Sequence, residues 1–343
     1  MKLPLGRQDF ASLIQDGCVY IDKTETIGNL VTNLKYVFLS RPRRFGKSLT
    51  ISTLDYLFQG KKALFKGLWI YDHWNWKENY PVIRIDFSAM DMKNLGLENE
   101  IVRILSKIAT DNKIKLTANS YRNCFEELII KLVEKYAQKV VILIDEYDAP
   151  IVNYIDVDSS KMIKAQENRE VLREFYKVLK SNDGYIRSFM FTGITRVVKM
   201  NLFSALNNVK DISFSNEYAT LTGYTEKEVL HYFTDKINNI QQQEFPNLNF
   251  QQLIDKIRYW YNGYNFGGKE TIYNPYTFLN FIFDKEFKSF WIGTGESSLL
   301  IKTFQENNFN SLTFLNKVVN IQEDFNIEKL NPITLLYQTG YIT

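Results

Sequence analysis

A five-residue apolar run, Tyr36-Val37-Phe38-Leu39-Ser40, leads straight into Arg41-Pro42-Arg43-Arg44-Phe45-Gly46-Lys47-Ser48. A helical pattern then begins at once, with Ile51, Leu54, Leu57 and Phe58 on one face. A β-prone run turned by a basic, glycine-containing loop into an amphipathic helix is the opening of a βαβ unit, which forces parallel strands joined by right-handed crossovers. The chain beyond it continues the alternation. Residues 81–88 read as a second strand, and Ile101, Leu105 and Ile108 as a following helix. Phe125, Leu128, Ile129, Leu132 and Val133 fall at i, i+3, i+4, i+7 and i+8, a stronger helix. Residues 140–144 are uniformly aliphatic, the pattern of a strand buried on both faces. A helix over 168–180 and a fourth strand over 186–192, closed by Gly193, complete the series. The expected fold class is α/β, a three-layer parallel sheet whose ligand lies at the carboxyl ends of the strands.

Past residue 215 the pattern changes to helices and turns, beginning with Thr225-Glu226-Lys227-Glu228, a capping box. This predicts a core over residues 1–215 and a mainly helical lid subdomain over 216–343. The run Tyr337-Gln338-Thr339-Gly340-Tyr341-Ile342-Thr343 is apolar and β-prone, which suggests that further protein once followed it.

Composition narrows the function classes. With 42 basic and 39 acidic residues, the surplus of +3 is too small to indicate nucleic-acid or membrane binding from bulk charge. Two cysteines without CxxC spacing and two histidines, His73 and His231, build neither a disulfide framework nor a zinc cluster, so a reducing compartment is expected. The first residues lack a signal-peptide apolar region and no stretch reaches the ~18 apolar residues of a membrane span. Both point to a cytoplasmic protein with no membrane partner. No Gly-x-Ser-x-Gly elbow or H-E-x-x-H pattern occurs, which argues against hydrolase chemistry of those kinds.

Loop 41–48 fits the phosphate-loop pattern G-x-x-x-x-G-K-[ST] at Gly46, Lys47 and Ser48, with Arg41 where the first glycine belongs. An arginine does not take a left-handed backbone cheaply, so the loop is expected to enter its turn differently from the usual one. Backbone N–H groups and the helix N-terminus would face a polyphosphate, Lys47 would reach the β and γ phosphates, and Ser48 would ligate Mg²⁺. The candidate nucleotide-binding residues are Arg41, Pro42, Arg43, Arg44, Phe45, Gly46, Lys47, Ser48 and Leu49. The run 140–146 ends in Asp145-Glu146, a Walker B pattern in which Asp145 holds Mg²⁺, usually through water, and Glu146 polarises the attacking water. Thr192 and Thr195, at and beyond the end of the fourth strand, are candidates to sense the γ-phosphate; ordinary strand-end threonines are the alternative. Arg196 is a candidate charge-neutralising arginine, in cis or from a neighbouring subunit of a homo-oligomer, against a plain surface role.

Two rival readings concern nucleic acid. Arg41, Arg43, Arg44 and Lys47 carry charge suited to a phosphate backbone, and Trp74, Trp76, Trp260, Tyr261 and Tyr264 have rings that stack on bases. A triphosphate explains the cations more economically, and a chain with 15% aromatic residues forms such clusters by packing alone.

Together these stretches resemble the bacterial AAA-ATPase-like family, whose members commonly carry a C-terminal PD-(D/E)XK nuclease-like domain. The resemblance begins at Phe10, Leu13-Ile14, Gly17 and Tyr20-Ile21-Asp22-Lys23-Thr24, and takes in 41–49, where the arginine-rich loop is the family's own form. It continues through Leu143-Ile144-Asp145-Glu146-Tyr147-Asp148, Pro150, Phe191-Thr192-Gly193-Ile194-Thr195, Phe203-Ser204, Leu206-Asn207-Asn208 and Asp211-Ile212-Ser213. Residues 260–264, Tyr273-Asn274-Pro275 and 337–342 complete it, and Ala149 stands where a lysine is common. The resemblance implies a RecA-like or AAA-like P-loop ATPase core with a helical lid, and a nuclease-like domain after residue 343. No paired acid with Glu-x-Lys on adjacent strands is evident in this chain, so nuclease activity is not assigned to it. The expected function is Mg²⁺-dependent binding and hydrolysis of ATP, coupled to movement of the helical region and acting on a protein partner or nucleic acid. A nucleotide-gated binding module with little hydrolysis, and a truncated remnant of an ATPase-nuclease, are the alternatives.

Overall fold

The computed structural model describes residues 2–154, 159–194, 208–290 and residue 336. Its strands are β1 (Tyr36–Ser40), β2 (Val82–Asp86), β3 (Val140–Asp145), β4 (Ile186–Gly193) and β5 (Lys210–Asp211), all parallel and in the order β2-β3-β4-β1-β5. The first four occupy the segments that their apolar runs predict. The second is shorter than 81–88, because Phe87–Ala89 closes into a 3₁₀ turn capped by the Asp86 carboxylate. β5 was not foreseen: two residues, one of them the exposed Lys210, carry no periodic signal, and only pairing with Val37 and Phe38 makes them a strand.

Helices lie on both faces of the sheet, which makes the expected three layers. On one face, α5 (Leu97–Asp111), α6 (Tyr121–Tyr136) and α8 (Ser159–Ser181) pack over Phe38, Ile83, Ile85, Ile142, Ile144, Phe189 and Phe191. On the other, α1 (Phe10–Gln15), α2 (Thr24–Asn33) and α3 (Lys47–Phe58) cover Val37, Leu39, Val141, Leu143 and Met190. Alternate residues of each strand therefore serve opposite cores, as the unbroken aliphatic run of β3 requires. Short helices α4 (Ile70–His73) and α7 (Ala149–Val152) complete this part.

Among the described residues after 215 the chain is mainly helical, with α9 (Glu226–Glu244), α10 (Phe250–Tyr261) and α11 (Pro275–Asp284). Thr225 and Glu228 form the expected capping box, each side chain accepting the other's backbone N–H. Asn249 with Gln252 repeats the device on α10, and Asn274 caps α11 with Pro275 in its first turn. These helices enclose a separate apolar cluster that includes Phe233, Ile237, Ile254, Ile257, Phe278 and Phe281. Val19 and Ile21, from the segment before α2, belong to the same cluster. Lys23 Nζ, 2.6 Å from Glu228 Oε1, ties that segment to the capping box. The candidate stacking rings pack against other rings of the protein: half-buried Trp74 on Phe58 and Trp76 on Phe65, buried Tyr264 on Phe45, and buried Tyr261 with Trp260 and Phe287 against it. Among the described residues no helix is long and apolar enough to cross a membrane.

Phe38 sits at the centre of the sheet, fully buried, against Phe191 at 4.8 Å and edge-on to Tyr147 at 5.4 Å. Phe38→Ala removes those contacts and leaves a cavity, so it is expected to cost about 3–5 kcal/mol. Urea unfolding checks this as a lowered midpoint with an unchanged slope.

Candidate functional site

The carboxyl ends of β1, β4 and β3 lie side by side, which sets loop 41–48 near the turn that follows Asp145. Arg41 extends β1 by donating its N–H to Gly193 O at 3.2 Å and has no left-handed backbone angle, so the loop enters its turn differently from a glycine-led one. The left-handed residues of the loop are Arg44, with φ 67°, and Gly46, with φ 93°. Left-handed residues alternating with one of ordinary φ are the backbone pattern from which anion-binding N–H nests are built. Among the described residues no hydrogen-bond acceptor takes the N–H groups of Arg44, Phe45 or Gly46. A Cβ added to Gly46 would meet nothing within 4 Å, so this side of the loop faces open space. Lys47 is buried, and its ammonium donates to the carbonyls of Arg41 and Pro42 at 3.0 and 3.1 Å. Ser48 and Leu49 lie in the first turn of α3, where helix N–H groups have no intrahelical acceptor.

The side chains of the loop point the other way. Arg41 is 1% exposed, and its guanidinium donates to Ser40 O at 2.9 Å, Ser213 O at 2.5 Å and Tyr218 O at 3.3 Å while lying 4.0 Å over the Phe266 ring. Arg44 stacks 3.7 Å over Tyr276, the second residue of α11. Phe45 is buried in a cluster with Tyr264, Phe266 and Ile272, and its carbonyl accepts from Gly223 N at 3.2 Å. Three loop side chains are thus committed to the region beyond residue 212. The sequence reading missed this anchoring, although the aromatic turn 260–264 and Ser213 stood among the residues that carry the resemblance.

Opposite the loop, Asp145 shares the face of Leu143, the face on which α3 lies. It is 2% exposed; its Oδ1 accepts from Thr192 Oγ1 and from Glu146 N at 3.1 Å, while Oδ2 makes no hydrogen bond among the described residues. Of the two threonine candidates, Thr192 thus meets the Asp145 carboxylate. Thr195 and Arg196 lie outside the described residues.

Glu146 turns the chain with φ 49°, a left-handed conformation that costs a side-chain-bearing residue about 1–2 kcal/mol. Neighbouring contacts hold it there. Tyr147 N donates to Thr192 O at 2.9 Å, and the Tyr147 ring is buried edge-on against Phe38 and Phe191. Asp148, 2% exposed, accepts Ile194 N on Oδ2 at 3.1 Å. Gly193 lies between these contacts, where any Cβ would overlap the Tyr147 ring and stand 2.7 Å from Asp148 Oδ1. The Asp-Glu-Tyr-Asp and Thr-Gly-Ile segments, far apart in sequence, are therefore one interlocked unit.

Charge ties the two halves together. Burial lowers the Lys47 ammonium below its ordinary pKa, opposed by the carboxylates of Glu146, Asp145 and Asp148, while Arg43 adds to the lowering. Burial pushes the Glu146 carboxyl up, opposed by Lys47 and Arg43 and reinforced by Asp148 and Asp145. Lys47, Arg43, Asp145, Glu146 and Asp148 thus feel one another's fields. No group of three or more His, Cys, Asp or Glu able to hold a metal occurs among the described residues.

This parallel α/β sheet, with a basic glycine-containing loop facing a carboxylate turn, is P-loop-like in class. The family model described as "Predicted AAA-ATPase" matches residues 4–203, and the chain belongs to this AAA-ATPase-like family. It is 36% identical over 346 residues to a protein of Azotobacter chroococcum mcd 1 described as an uncharacterized protein in the vnfD 5' region. The alignment takes in 100% of this chain and 64% of that relative's length. Family membership implies nucleotide binding in general and points to ATPase activity.

The raised Glu146 carboxyl carries a consequence for stability. A carboxyl whose folded pKa exceeds its unfolded value of 4.5 penalises the native state once ionised, and the penalty vanishes below that unfolded value. Glu146→Gln is therefore expected to raise the melting temperature of the nucleotide-free protein at neutral pH. The gain fades as pH falls through the raised folded pKa to below 4.5. Thermal melts of both proteins between pH 4 and 8 check the sign and the window.

Proposed function

We propose that this chain binds Mg·ATP at loop 41–48, hydrolyses it, and passes the nucleotide state to the helical region beyond residue 215. The observation that carries the proposal is the division of the loop into two sides. Its N–H groups at Arg44, Phe45 and Gly46 have no acceptor among the described residues and the space beside Gly46 is open, while Arg41, Arg44 and Phe45 anchor it to residues 213–276. In this reading the N–H groups and the N-terminus of α3 cradle the phosphates, and Lys47 exchanges the carbonyls of Arg41 and Pro42 for phosphate oxygens.

A hydroxyl, a carboxylate, water and phosphate oxygens make a donor set suited to Mg²⁺. Ser48 and Asp145 fit it, since Asp145 keeps Oδ2 clear of the hydrogen bonds that orient Oδ1. The ion supplies charge neutralisation on the phosphates. Glu146 orients a water towards the γ-phosphorus and takes its proton late, as the bond to the ADP oxygen breaks. Burial raises its pKa in the nucleotide-free site, and a base must be ionised to act. Thr195 and Arg196 retain their proposed roles at the γ-phosphate. Because Phe45 and Arg44 belong to the loop that grips the nucleotide, loop rearrangement on binding or hydrolysis bears directly on α11 and the 264–272 turn.

Phosphate release from Mg·ATP, with binding followed by calorimetry on the same samples, tests this. Lys47→Ala is expected to abolish binding, and Glu146→Gln to keep binding while losing at least ~100-fold in turnover. Phe45→Ala is expected to weaken the coupling, read as loss of the nucleotide-induced change in proteolysis of residues 216–290. Binding without wild-type turnover would favour a nucleotide-gated module; no binding would overturn the proposal.

A further inference from the structure

Asp148 is a buried carboxylate to which the proposed reaction gives no part. It stands two residues beyond Glu146, and its Oδ2 holds Ile194 N at 3.1 Å, with Oδ1 at 3.4 Å. One residue before it, Tyr147 is fixed to Thr192 O at 2.9 Å. One residue before that, Glu146 has φ 49° and its carboxylate is within the field of Lys47. A turn that holds a glutamate in the left-handed region persists only where its surroundings over-determine it. Here three successive residues of β4 and its exit do so: Thr192 offers a carbonyl, Gly193 offers room, and Ile194 offers an N–H. The room at Gly193 is needed by the Tyr147 ring and by Asp148 itself.

We infer that Asp148 is a positioning residue for hydrolysis: by clamping the 145–148 turn to Ile194 it fixes the backbone of Glu146, and so the aim of that carboxylate. The inference rests on the proposed hydrolysis at loop 41–48. Asp148 touches neither nucleotide nor water in this scheme and acts only through Glu146. Its loss lets the turn relax towards an ordinary backbone conformation, which swings the Glu146 side chain away from the attack line while the phosphate cradle of loop 41–48 stays intact.

The test measures single-turnover phosphate release and Mg·ATP binding for the full chain and its variants. Asp148→Ala is expected to slow release by at least ~10-fold with binding changed by less than about 3-fold, the pattern of an interaction used only in the transition state. Asp148→Asn keeps an oxygen for Ile194 N and is expected to restore release to within about 3-fold of wild type. In a Glu146→Gln background, Asp148→Ala is expected to cost less than about 2-fold more, because residues that act as a unit are not additive. A merely structural role would give equal fractional losses in both backgrounds, and that result overturns the inference. So does an Asp148→Asn protein as slow as Asp148→Ala, or an Asp148→Ala protein that releases phosphate normally. Should Asp148→Ala fail to fold, Asp148→Val, which keeps side-chain volume but offers no acceptor to Ile194 N, takes its place with the same expected pattern. Wild-type protein that binds Mg·ATP without turnover sinks the hydrolysis reading and this inference together, whereas wild-type turnover with an unaffected variant sinks this inference alone.

Discussion

The insertion of β4 between β1 and β3 is the constraint on which the rest of the site depends. Through it, Gly193 O receives the N–H of Arg41 on one side while Thr192 and Ile194 receive the Asp145–Asp148 turn on the other. One strand end thus sets both the entry of the basic loop and the aim of the acidic turn. The residues there are suited to this: the hydroxyl of Thr192 reaches Asp145, and Gly193 makes way for Tyr147. A Cβ at Gly193 would overlap the Tyr147 ring.

Loop 41–48 solves a second problem, that of holding several cations near one another in a buried place. Arg41 is neutralised in effect by three carbonyl oxygens and an aromatic face, so its charge stays solvated by the protein even at 1% exposure. Lys47 is satisfied by two loop carbonyls and by the fields of three carboxylates. Arg44 spreads over Tyr276. The arginines that look in sequence like a single anion-binding patch therefore divide into structural and site-facing members. The structural ones join the sheet to the helices beyond residue 215, so the loop is at once the proposed ligand cradle and a joint between regions.

Much of the fold was legible in the chain because its signals are local. The aliphatic run of β3, the i, i+3, i+4 spacing of α6 and the Thr225–Glu228 capping box each express a backbone preference within a few residues, and each formed where expected. β5 was not legible, because a strand of two residues with an exposed lysine exists only by pairing with β1. The entry of the basic loop was legible only in outline. An arginine at position 41 implied a turn entered differently from the usual one, but only the fold shows how: Arg41 stays in line with β1 because Gly193 O captures its N–H, and the left-handed residues are Arg44 and Gly46.

The sequence by itself determined the elements, the α/β class and the presence of Lys47, Ser48, Asp145 and Glu146 at the ends of a strand and the start of a helix, since hydrophobic periodicity and glycine placement act over short spans. Tertiary structure alone decided which of these groups share a field. The partners of Asp145, Asp148 and Arg41 lie 47, 46 and 172 residues away along the chain. Such pairings follow from strand order and close packing, which no short stretch of sequence encodes. That is why Asp148 reads in the sequence as one more acid in a motif and in the fold as the clamp on its turn.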